Sequence, residues 1–259
     1  MKVSNPDTTV RGDTEVNVDT IEIIENSMLS LGGTGAGDAT NLGTNHLNVN
    51  AGGILNLGDG SDYQTAAEAH DLVDAEQATI VGRLIGNGTI DAPTYIGNSI
   101  AGSPATVAPG NSAGIIAFNG ATTTFGDGSA LDIEMIDRMA AAGVGYDVIT
   151  VASDLILQGN SVFNLNELVS DPAYQAGNFA LGLITLVVDV QLGHITGMFA
   201  NTPSDASDGG ALNLSTGRLV GLGSTDLDQL TRPPGYQNVL DGLRVKRTGD
   251  TTNSMVVPS

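Results

Sequence analysis

Residues 46–62 read HLNVNAGGILNLGDGSD. Leu47 and Val49 alternate with Asn48 and Asn50, the glycine pair Gly52 and Gly53 follows, and Leu55 and Leu57 alternate again. Period two puts successive side chains on opposite faces of a strand, one face buried and one wet. Paired glycines admit the positive φ of a tight turn. The stretch predicts strand, sharp corner, strand.

The same beat runs in both directions. Upstream, Val16, Val18, Ile21, Ile23 and Ile24 lie among Asn, Asp and Glu, and Met28, Leu29 and Leu31 run into Gly32 and Gly33. Residues 32–45 are mostly Gly, Thr, Asn and Asp and read as a loop. Residues 62–77 break the rhythm. Tyr63, Ala66, Ala67, Ala69, Leu72 and Val73 have helical spacing, with Ser61 or Asp62 as a cap, so a short helical insertion or a loop is expected there. The beat resumes with Ile80, Leu84, Ile85, Ile90 and Ile96, set among Gly86, Asn87, Gly88, Gly97 and Asn98. Cassettes recurring at roughly 20 residues are the period of a solenoid, whose coils bury their apolar faces only by stacking.

Composition agrees. The 259 residues are 41% hydrophobic and 15% charged, enough apolar material for a core. Gly numbers 35 and aromatics only 4%, so thin aliphatic layers with tight turns are expected. A β-sandwich would also show short strands, but its core usually holds more large aromatics. Lys plus Arg total 9 against 29 Asp plus Glu, a net charge of −20, which argues against nucleic acid as partner. Without Cys there is no disulfide framework, thiolate zinc site or cysteine nucleophile. The N-terminus, MKVSNPDTTVRGD, shows no apolar signal core, and the longest apolar run, residues 179–188, is short of the ~20 residues of a membrane-spanning helix. Met1 therefore begins either a cytosolic chain or a mature piece. Zero Cys and only two Lys favour the second and an extracellular setting.

Residues 100–200 carry an ordered set of motifs. They include APGNSAG at 108–114, FGDGSALDIE at 125–134, YDVITV at 146–151, LQG at 157–159, FAL at 179–181 and ITGMF at 195–199. Their order resembles the β-helical passenger regions of bacterial autotransporters and related surface proteins. That resemblance implies a parallel, right-handed β-helix on the bacterial cell surface. It marks Pro109, Gly110, Asn111, Ser112, Gly114, Tyr146 and Asp147 as structural turn positions. The chain departs from the pattern in three ways: no translocator barrel precedes Ser259, residues 24–77 have no counterpart, and MIDRMAAAGVG at 135–145 looks helical where a polar turn is usual. The resemblance thus implies a fold and a setting, not a secretion route. One continuous domain is expected, with N-terminal coils over 1–99, the passenger-like module over 100–200, and C-terminal coils with a cap over 201–259.

Candidate chemistry is sparse. Residues 110–114 match the G-x-S-x-G pattern of a nucleophile elbow, but Ser112 is followed by the strand-like Ile115, Ile116 and Ala117 rather than a helix. His46, His70 and His194 lack metal spacing. Asp59, Asp62, Asp127, Asp205 and Asp208 sit in acidic turns that offer hard oxygen ligands for calcium, yet fit no EF-hand or nonapeptide repeat; solvated turns are the plainer reading. The seven Arg are scattered and form no acid, base and binder set with these acids. The expected function is that of a non-catalytic extracellular structural protein. It would act as a cell-surface stalk or adhesive module whose partner is itself, through axial strand stacking into filaments. The alternative is a module that binds or cleaves a cell-surface polysaccharide.

Overall fold

Alternating burial organises the chain. The computed structural model describes residues 1–11, 14–32, 40–58, 72–98, 103–110, 113–137, 140–167, 184–193, 195–197, 199–200, 211–213, 218–222 and 241–247. Among them there is no helix. The strands are β1 (Lys2–Val3), β2 (Thr8–Arg11), β3 (Thr14–Ile23), β4 (Met28–Gly32), β5 (Thr40–Val49), β6 (Ile54–Asn56) and β7 (Leu72–Ile80). Next come β8 (Arg83–Gly86), β9 (Gly88–Asp91), β10 (Thr94–Ile96), β11 (Ala105–Pro109), β12 (Ile115–Phe118), β13 (Thr122–Phe125) and β14 (Ser129–Met135). The remainder are β15 (Val148–Val151), β16 (Asp154–Leu157), β17 (Val162–Glu167), β18 (Ile184–Val190), β19 (Ile195–Gly197), β20 (Ala211–Asn213), β21 (Arg218–Leu222) and β22 (Asp241–Arg247).

Two sheets result. Seven strands run in the order β17-β14-β11-β8-β6-β4-β2, all parallel. The larger sheet branches at β7, where Leu72–Asp74 pair with β9 and Ala78–Ile80 with β10. The cause lies in the preceding strands. In β5, Asn45 and His46 are both exposed, and in β7 so are Glu76 and Gln77. Two outward residues in succession break the alternation and bend the strand. From β9 onward the bend opens into a full corner at Ala92–Pro93, and one long strand becomes two.

Inside, like stacks on like. Leu29, Leu55, Leu84, Val107, Leu131 and Phe163 form one register row, each fully buried. Val3, Ile23, Val49, Ile80, Ile96, Phe125 and Leu157 form another. Each fully buried aliphatic side chain contributes about 1.5–3 kcal/mol. This is a solenoid-like parallel β architecture.

Four expectations change. Residues 72–77 are strand, not helix: Val73 and Ala75 point inward and pair with Leu42 and Thr44. Residues 62–71 lie outside the described residues. Residues 40–45 are also strand, because Leu42 is clamped between Val16 and Val73 and fully buried. Met135 ends β14, and the described residues from 136 to 145 are non-helical turns, with Val144 and Gly145 N–H donating to the Ala141 carbonyl at 3.1 and 3.0 Å. Finally, stacked positions Thr8, Leu29, Leu55, Leu84, Val107, Leu131 and Phe163 are 21 to 32 residues apart. Among the described residues this stack is seven strands deep, six steps of about 4.8 Å, or about 29 Å. Beyond β19, the described strands run antiparallel: β22 pairs with β18, β21 with β22, and β20 with β21.

Candidate functional site

The corner after β11 gathers most of the motif residues. Pro109 ends β11, and Gly110 takes φ +77°, the left-handed region open to glycine without a Cβ penalty. Its N–H donates to the Gly86 carbonyl at 2.7 Å. Asn111 and Ser112 lie outside the described residues. At Gly114 a Cβ would overlap the Gly110 backbone nitrogen and stand 2.5 Å from its Cα, so only glycine lets the chain pass that close.

Asp147 closes this corner. Its carboxylate is 2% exposed. Oδ1 accepts from the Gly114 N–H at 2.7 Å and Oδ2 from the Glu134 N–H at 2.6 Å. One side chain thus ties the exit of the 108–114 turn, the strand β14 and the loop that returns from it. Burial pushes its carboxyl up to about 7 and the Glu134 charge adds to the rise, while the two N–H donors pull the other way. Beside it, Tyr146 packs partly buried on the core, and burial raises its phenol. Sequence reading marked Tyr146 and Asp147 only as structural turn positions. The signal for a buried carboxylate, an Asp directly before the apolar run 148–151, was present but unspecific.

The other candidates lie apart. Asp127 is exposed at the corner after β13, and its Oδ1 accepts from the Asn160 N–H at 2.9 Å, so it caps the next coil's turn. Asp59, Asp62, Asp205 and Asp208 lie outside the described residues, as do His70 and His194. His46 is exposed on β5. Among the described residues no three His, Cys, Asp or Glu side chains converge as a metal site would require. Both Asp147 oxygens are engaged by backbone, so the arrangement does the work of a clamp between coils.

Unmentioned by sequence reading is a set of acid–amide pairs between coils. Asn45 Nδ2 donates to Asp19 Oδ1 at 2.8 Å, Asn50 Nδ2 to Glu22 Oε1 at 3.0 Å, and Asn164 Nδ2 to Asp132 Oδ1 at 2.7 Å. Each acid meets an amide, not a second acid, one coil away. No protein-family model, no curated protein and no solved structure matches the chain.

Proposed function

We propose that this chain is a non-catalytic structural protein of the bacterial cell surface or extracellular space. It is a right-handed, closed-coil solenoid of the autotransporter-passenger kind, acting as a stalk or adhesive module and stacking head to tail on its own copies. One observation carries the reading: among the described residues, the edge strands β2 and β17 of the seven-stranded sheet each have a neighbour on one side only. An unpaired strand edge is a template for another chain. A contact between the two different ends of one molecule does not close, so it propagates as a filament. The right hand follows from the rule for crossovers between parallel strands. The motif order over 108–199 supports the passenger kinship, and the engagement of Asp147 and Asp127 with backbone N–H groups supports a scaffold role.

Sedimentation velocity over a rising concentration series tests the assembly. A series of species that lengthens with concentration is expected. A single monomeric species throughout would sink it.

A further inference from the structure

The outward row of the larger sheet that runs through Tyr95 carries no charge. Asn48, Thr79, Tyr95, Thr124, Ile156 and Thr196 are consecutive register partners across β5, β7, β10, β13, β16 and β19. All six are half-buried or exposed, and none is charged, in a chain of net charge −20. Charge returns at Glu22, the partner of Asn48, and at Asp154, two residues before Ile156.

Tyr95 stands at the middle of the row and is 40% exposed. The hydroxyl end of its ring lies over Gly97 and Gly126. A Cβ on Gly97 would stand 2.7 Å from the Tyr95 Oη, and one on Gly126 would stand 2.6 Å from Cζ and overlap Oη. Two side-chain-free residues in adjacent coils thus seat the ring against backbone. Thr79 and Thr124 flank it as direct partners, one on each side.

We propose that this row is a binding face for an uncharged polysaccharide, with the Tyr95 ring as its stacking platform. A sugar ring presents a C–H face that packs on an aromatic ring, and a rim of hydroxyls that the Thr and Asn side chains can meet as donors and acceptors. Neutrality matches neutrality, whereas an acidic glycan would face the repulsion of the surrounding surface. A second copy of the chain suits the row poorly. Five steps of about 4.8 Å by one two-residue repeat of about 6.8 Å give about 160 Å², against the ~800 Å² per partner of a stable interface. This face is separate from the strand edges that serve axial stacking, so either can fail without the other.

Affinity electrophoresis of the full chain tests it, in gels cast with a soluble β-glucan, a mannan, starch or polygalacturonate. Retardation by at least one neutral polymer and none by polygalacturonate is expected. Tyr95→Ala should weaken that binding about tenfold, while Tyr95→Phe, which keeps the ring, should retain it. Thr124→Glu, which charges the row but leaves the ring, should also abolish it, and far-UV circular dichroism checks that each variant folds. Retardation by polygalacturonate alone, by no neutral polymer, or equally for wild type and Tyr95→Ala would overturn the proposal. So would a Tyr95-dependent dimer without glycan binding, which would assign the face to a second copy.

Discussion

The Asp147 carboxylate holds two backbone N–H groups at 2.7 and 2.6 Å in a dry corner, and burial raises its folded-state pKa from the usual 3.8 to about 7. An acid raised in this way binds its proton more tightly when folded. Its contribution is greatest below about pH 4 and is lost as pH climbs through about 7. In Asp147→Asn one oxygen still accepts, but an NH₂ group faces the other N–H. Urea unfolding should show a loss of about 1–3 kcal/mol near pH 5, narrowing as pH passes 7; a gap constant with pH would contradict the titration. Thr123 gives the opposite case. Its inward hydroxyl, stacked between Thr94 and Leu155, is buried without a hydrogen-bond partner. Thr123→Val should therefore raise stability by about 1 kcal/mol in the same measurement, and a loss would show that the hydroxyl is satisfied. Neither role was legible in the sequence. The Asp147 partners are backbone groups 33 and 13 residues away, brought near only by the stacking of coils.

At the scale of elements the sequence was far more legible. Leu47, Val49, Leu55 and Leu57 all point inward as the alternation in 46–58 predicts, because period two is a direct imprint of a half-buried strand. The same rule explains the misreading of 72–77. The bend at Glu76 and Gln77 puts two exposed residues between the inward Ala75 and Ala78, which spoils the alternation. The acid–amide pairs were hidden for a different reason, since they depend on register between coils of unequal length. They predict a salt effect. Asn164→Asp sets a second acid against Asp132, and like charges directly opposite cost about 0.2–1 kcal/mol. Thermal unfolding should fall at low salt and recover at high salt; a loss indifferent to salt would point to packing instead.

Over the whole molecule, composition foretold thin aliphatic coils, and the rows through Leu29 and Val3 are built that way. The aromatics are placed less evenly than their scarcity suggested. Phe118, Phe125, Phe163 and Phe199 are all buried, with Phe199 packed 6.0 Å from Phe125 and 5.8 Å from Phe163 between ring centres. This thickens the core toward the later coils, a change no composition figure reveals. Among the described residues Asp19, Asp74, Glu76, Asp91, Asp127 and Asp154 are exposed, and under the proposed function such outward charge opposes lateral strand pairing and leaves axial contact as the open route. Electron microscopy of the purified chain at neutral pH tests that route most directly. Head-to-tail stacking predicts unbranched filaments one molecule wide, with the strand repeat of about 4.8 Å along their axis. Isolated particles at every concentration, or sheets and bundles joined side by side, would contradict it.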